Sequence, residues 1–64
     1  MKYLVYFHDE ANHRLVESRD HRELEKWLTL LEETALTFKE EPEAGAVFFK
    51  DSAGVERGFY TEET

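Results

Sequence analysis

The longest periodic segment of the chain is DHRELEKWLTLLEETALTFK, residues 20–39. Its apolar residues recur at spacings of four, three, four and three, which is the period of one face of an α-helix. They are Leu24, Leu28, Leu31, Ala35 and Phe38, and Trp27 lies beside them. Asp20 precedes Glu23 by three residues, the spacing of an acidic capping box. We therefore expect one amphipathic helix from Asp20 to about Lys39, with Trp27 and Leu31 in the core.

The end of this helix has a second interpretation. Threonines at positions 34 and 37 weaken the last turns, because β-branched side chains are stiff in a helix. Acidic residues at positions 40 and 41 are also unfavourable there, since the helix dipole prefers cations at its C-terminus. The alternative is a short strand containing Leu36 and Phe38. The unbroken apolar stripe favours the helix.

The segment before the helix has the composition of strands. Lys2–His8 is β-branched and aromatic with apolar residues at both parities, a pattern typical of a central strand covered on both faces. Asn12 lies in a following turn, and Arg14–Glu17 can pair back as the second strand of a hairpin.

The segment after the helix predicts a loop and a second hairpin. Pro42 and Gly45 mark residues 40–45 as a loop. Ala46–Lys50 and Val55–Tyr60 then flank a four-residue turn, Asp51–Gly54, which is typical of two paired strands.

Together these elements predict a small α+β domain of two layers, in which one helix packs on an antiparallel sheet of three to four strands. The order is β-β-α-β-β, or β-α-β-β if residues 14–17 form a loop. We expect one domain over residues 1–64, with residues 61–64 frayed. Because one helix covers only one face, some strand aromatics should remain on the open face. The candidates are Tyr3, Tyr6, Phe48, Phe49, Phe59 and Tyr60.

The charge of the chain is negative and unevenly distributed. Fifteen acidic and eight basic residues give a formal net charge of −7. Nine of the acids follow Leu31, accompanied there only by Lys39, Lys50 and Arg57, so this part carries six of the seven negative charges, nine less three. Such a field repels nucleic-acid phosphates and anionic lipid and attracts basic protein surfaces.

Metal-binding and catalytic patterns are weak. The chain contains no cysteine, so thiolate metal sites and disulfides are excluded. His8, His13 and His21 with Asp9 and Glu10 lack the helical i,i+4 spacing of metal ligands. We expect no metal and no cofactor.

No sequence pattern indicates an enzyme. Ser18 and Ser52 lie in predicted turns rather than in a nucleophile motif. The first apolar run, Tyr3–Phe7, is too short for the core of a signal peptide. We therefore expect a cytoplasmic protein with no catalytic residues and no membrane contact.

These observations favour a non-enzymatic protein-binding domain that inhibits or modulates a larger protein by docking on its basic surface. One that handles nucleic acid fits best, because the acids would then imitate phosphates, and no direct nucleic-acid binding is expected. In size, charge and layout the chain resembles the small acidic inhibitors that bacteriophages direct against host transcription, restriction or CRISPR machinery. The candidate contact residues are Glu32, Glu33, Glu40, Glu41, Glu43, Asp51, Glu56, Phe48 and Tyr60.

Two other functions remain open. The alternative is a structural or regulatory homo-oligomer, for example a homodimer, in which open-face aromatics and strand edges pair between copies. The other is a small metal-dependent or catalytic domain that uses the histidines.

Overall fold

The computed structural model describes residues 1–63. Its elements are β1 (Lys2–Phe7), β2 (Arg14–Glu17), α1 (His21–Glu32), β3 (Thr37–Glu41), β4 (Ala46–Lys50) and β5 (Glu56–Glu62). All pairings are antiparallel, and the strand order across the sheet is β2-β1-β5-β4-β3. The predicted α+β class with one helix is confirmed, but the sheet has five strands instead of three to four.

The start of α1 is the predicted one. Asp20 Oδ1 accepts a hydrogen bond of 2.9 Å from the backbone N–H of Glu23. This bond holds the pKa of the Asp20 carboxyl below its usual value, because it stabilises the charged form. The Glu23 carboxylate in turn accepts a bond of 2.9 Å from Arg19 Nε.

The end of α1 differs from the prediction, because the helix stops at Glu32 and does not continue to Lys39. Glu33 takes a left-handed conformation, with φ of 56°, and its N–H donates to the Leu30 carbonyl. The segment Thr37–Glu41 is instead the edge strand β3, paired with β4. In this strand Phe38 lies opposite Phe49, with ring centroids 6.0 Å apart. Phe38, which was predicted to complete the apolar stripe of the helix, therefore packs against the core from the sheet.

The core lies between α1 and one face of the sheet. It consists of the buried residues Tyr3, Val5, Phe7, Leu24, Leu28, Phe49 and Tyr60. Trp27, predicted to lie in the core, packs against this cluster but is only partly buried, whereas Leu31, also predicted to lie in the core, is 42% exposed. Leu31 has nearly the same angular position as Leu24, seven residues earlier. Its exposure therefore follows from its place at the very end of the helix, one residue before α1 stops.

The centre of the sheet requires a glycine. Gly58 in β5 lies opposite Phe7 on one side and Phe49 on the other. A Cβ at this position would overlap the backbone carbonyl of Tyr6 and lie 3.0 Å from the Phe49 ring. The absence of a side chain at Gly58 therefore lets β1 and the Phe49 ring close over the middle strand.

Strand β5 is longer than predicted. It begins at Glu56 and extends to Glu62, where the sequence indicated an end at Tyr60. Thr61 pairs with Leu4, and the N–H of Glu63 donates to the Lys2 carbonyl at 2.8 Å. Residues 61–63, which were expected to fray, are thus bonded to β1, and Thr64 lies outside the described residues.

The helix face gives a direct test of the fold. Leu28 is fully buried in the middle of α1, so Leu28→Ala should lower the free energy of unfolding by about 2–5 kcal/mol. Leu31→Ala removes the same atoms from a 42% exposed site and should cost clearly less. Urea unfolding of both variants measures the difference, and equal losses would contradict the helix end described above.

Candidate binding surface

The face of the sheet opposite the helix carries a row of aromatic residues. In β1 the buried side chains are Tyr3, Val5 and Phe7, so the residues between them belong to the other face. Tyr6 lies opposite Phe59 of β5, which lies opposite Phe48 of β4. Three neighbouring strands thus place one aromatic ring each on the open face. The structure corrects the expectation that β1 is covered on both faces.

The rings of this row pack against one another, and the Tyr6–Phe59 pair is stacked face to face. The centroids of Tyr6 and Phe59 are 4.6 Å apart with an interplanar angle of 16°, and those of Phe59 and Phe48 are 5.1 Å apart. His13 adds a fourth ring, 5.3 Å from Tyr6. We call His13, Tyr6, Phe59 and Phe48 the aromatic column. The stacking covers one face of Tyr6 and one face of Phe59, and both rings remain only partly buried.

The prediction about open-face aromatics is therefore confirmed for half of its candidates. Tyr6, Phe48 and Phe59 are partly buried and belong to the column. The other three, Tyr3, Phe49 and Tyr60, are in the core beneath the helix. Tyr60 was also a candidate contact residue, but it is only 3% exposed and cannot anchor a partner on the open face.

An open groove of about 560 Å³ lies at the Phe48 end of the column. It brings together four of the predicted contact residues, Phe48, Glu41, Glu43 and Glu56. Its other lining residues are Thr37, Lys39, Ala44 and Lys50. Lys39 Nζ lies 3.7 Å from the Glu41 carboxylate, so the groove contains both charge signs with an excess of acids.

Arg57, the third cation of the acidic part, is directed away from this groove. Lys50 pairs with Glu56 whereas Phe49 pairs with Gly58, so Arg57 is the extra residue of a β-bulge. Arg57 Nε donates to Glu32 Oε1 of α1 at 2.9 Å, and this bond raises the pKa of the guanidinium. The predicted contact residue Glu32 therefore serves to join the helix to the sheet.

The remaining predicted residues have local structural roles or lie elsewhere. Asp51 Oδ1 accepts bonds of 2.9 Å from the N–H groups of Ala53 and Val55, which fixes the turn between β4 and β5. Glu33 ends the helix, and Glu40 lines a groove on the helix side. The structure thus separates these three acids from the aromatic column.

The helix-side groove, of about 620 Å³, has the Tyr60 phenol in its lining. This hydroxyl donates to Glu25 Oε2 at 2.5 Å, and the Tyr60 ring meets Tyr3 edge to face at 5.7 Å. Burial, and secondarily the bond to the Glu25 carboxylate, raise the pKa of Tyr60 far above its usual value. Glu40 and Glu62 also line this groove, so acidic residues border both faces of the sheet.

Three column residues, His13, Tyr6 and Phe59, were not among the predicted contact residues. Sequence reasoning placed Tyr6 and Phe59 in a pool of six aromatics because it did not decide which parity of each strand faces the helix. Gly58 was the available signal. A glycine within a strand indicates a crowded position on the buried face, and its neighbour Phe59 must then point to the opposite face.

Neither a metal site nor a membrane-spanning helix is found among the described residues. Within residues 1–63, no three histidine or acidic side chains are grouped so that they could hold a metal ion. Nor does this part of the chain contain a helix with the length and apolarity needed to cross a bilayer. No protein-family model matches the chain, and no curated protein and no solved structure is significantly similar to it.

The Tyr60–Glu25 bond predicts a pH dependence of stability. The raised pKa of Tyr60 means that the folded state keeps its proton where the unfolded state, with a pKa of about 10, loses it. The stabilisation is therefore complete below about pH 10 and is lost as the pH rises further. Tyr60→Phe should reduce this alkaline loss and, because the lost hydrogen bond is to a carboxylate, cost about 1.5–3 kcal/mol at neutral pH.

Urea unfolding at neutral and alkaline pH measures both effects. Glu25→Gln keeps an acceptor for the phenol but removes the negative charge, so it should give an intermediate slope. An alkaline slope in Tyr60→Phe as steep as that of the parent would contradict the assignment.

Proposed function

We propose that this chain is a non-enzymatic binding domain that docks on a basic surface of a larger protein and inhibits or modulates it. The observation that carries the proposal is the aromatic column on the sheet face that the helix leaves uncovered. Aromatic side chains are enriched in the cores of protein interfaces. A cluster of partly exposed aromatic rings on an uncovered sheet face is therefore a candidate binding surface.

The geometry of the rings favours a protein partner over nucleic acid. A base binds an aromatic side chain by stacking on a free ring face. In the column, Tyr6 and Phe59 are stacked on each other, with centroids 4.6 Å apart and an interplanar angle of 16°, so each of these rings has one face occupied. Phe48 packs against Phe59 at 5.1 Å with the ring planes tilted by 38°. The net charge of −7 adds repulsion of phosphates. Partly buried rings and an acidic border suit apolar and basic side chains of a protein.

The charge distribution favours a basic partner. Glu41, Glu43 and Glu56 stand around Phe48 at one end of the column, and the wider field of the chain has the same sign. Fields of this kind raise association rates with oppositely charged surfaces. The acids are divided between the two faces of the sheet. The proposal therefore depends on their summed field and on the column more than on a row of acids that imitates phosphates.

Affinity capture with matched variants tests the column. Phe48→Lys places a cation on the open face and removes an anchor, while Leu30→Lys makes the same charge change on the helix, where Leu30 is 70% exposed. The parent and Leu30→Lys should capture the same protein from a lysate, and Phe48→Lys should lose it. Circular dichroism establishes that both variants are folded.

Equal capture by Phe48→Lys and Leu30→Lys would contradict the proposal. The same preparation should be mixed with fluorescent single-stranded RNA and DNA at low salt. Binding of either oligonucleotide that is lost in Phe48→Lys would replace the protein-binding proposal with base stacking on the sheet.

A second pair of variants tests the electrostatic part. Glu41, Glu43 and Glu56 are replaced together by Gln, and the control replaces Glu33, Glu40 and Glu63, for the same change in net charge. With the captured partner, the first triple variant should associate more slowly than the control and respond less to salt, since exposed charges are screened over about 8 Å. Thermal midpoints should change little. Identical association rates for the two variants would show that the acids beside Phe48 are not at the interface.

A further inference from the structure

Strand β2 is an edge of the sheet with outward-facing backbone groups. The N-terminal amine of Met1 donates to the Ser18 carbonyl, and the Ser18 N–H donates to the Met1 carbonyl, at 2.8 and 2.9 Å. Bonded and non-bonded pairs alternate along an antiparallel ladder. In the observed register, Val16 with Tyr3 is therefore a bonded pair and Leu15 with Leu4 a non-bonded one. The N–H and C=O groups of Leu15 and Glu17 thus point away from β1.

The middle of this edge is apolar and exposed. Leu15 is 62% exposed on the open face, next to Leu4. The pairing of β2 with β1 runs over four consecutive residue pairs without a bulge. The single proline of the chain, Pro42, lies elsewhere. An exposed edge without proline or a bulge is a template for another strand.

The opposite edge, β3, is protected by its charges. Lys39, Glu40 and Glu41 occupy three of its five positions. A two-fold pairing of β3 centred on Lys39, Glu40 or Glu41 puts two like charges directly opposite one another, which is destabilising. The two edges of the same sheet therefore differ in their capacity to pair.

We propose that β2 pairs antiparallel with β2 of a second copy about a two-fold axis at Leu15, which joins two five-stranded sheets into one. In this register the two Leu15 residues exchange both of their outward hydrogen bonds. His13 of each copy then lies opposite Glu17 of the other, a complementary pair. A centre at Glu17 would instead oppose two carboxylates. This inference is independent of the proposed partner.

The part of the chain that contains β2 has little net charge, so charge repulsion does not oppose the pairing. The chain up to Leu31 has six acidic and five basic residues, whereas the remainder carries most of the net charge. A pair formed at β2 therefore brings together the nearly neutral parts of two copies. His13 belongs to the aromatic column and Leu4 lies beside it on the same face, so the two open faces would form one continuous surface.

Cysteine crosslinking tests the interface and its register, because the chain has no cysteine of its own. Directly bonded residues have Cα atoms about 5.5 Å apart, within disulfide range. Leu15→Cys should therefore oxidise to a dimer that reductant dissociates. Glu17→Cys is on the same face and strand, two residues from the axis in each copy. At a rise of about 3.4 Å per residue the Cα atoms of the two introduced cysteines would be about 14 Å apart, so this variant should crosslink poorly. Thr37→Cys on the β3 edge should remain monomeric.

Sedimentation of the unmodified protein gives the second readout. The parent should show a species of twice the 7.6 kDa chain mass as its concentration increases. Leu15→Lys should abolish that species and Thr37→Lys should retain it, with circular dichroism to verify folding. A parent that stays monomeric up to about 1 mM overturns the proposal. Crosslinking of Glu17→Cys or Thr37→Cys as complete as that of Leu15→Cys overturns it as well.

Discussion

A helix about 10 Å across spans roughly two strand spacings of about 4.8 Å, and here one helix packs on a sheet of five strands. Because the helix covers only part of one sheet face, the face on which a large strand residue lies decides whether it packs in the core. Tyr3, Val5 and Phe7 alternate toward the helix and enclose the core with Leu24 and Leu28. The residues that alternate with them lie on the other face of the sheet, which no helix covers. Tyr6, Phe59 and Phe48 pack there against one another and are each partly buried.

Most of the fold follows from local sequence patterns. The bounds of β2 and β4 agree with the prediction, and Asp20 caps the helix, because alternation, turn residues and capping act over a few residues. The helix end could not be predicted in the same way. Phe38 fits the helical stripe as well as it fits a strand. The deciding factor is its pairing opposite Phe49, a contact that exists only once β4 is in place.

The candidate surface was predictable in kind but only partly in detail. The sequence contains more strand aromatics than one helix can cover. Its composition also shows that the chain is acidic. Which carboxylates lie beside the aromatics depends on tertiary structure. Glu32 bonds to Arg57 through a bulge and Asp51 fixes a turn, so both serve the fold. Glu41, Glu43 and Glu56 converge on Phe48 because β3 is a strand, which the preferred helix would have precluded.

The central claim is that the open sheet face, and not the helix face, meets the partner. Amide chemical shifts of isotope-labelled protein, recorded while unlabelled partner is added, test this claim at each residue. We predict that the largest changes fall on Tyr6, Phe48, Phe59 and the strand segments around them, with α1 changing little. Changes concentrated on α1 and the helix-side groove, with the aromatic column unaffected, would contradict it.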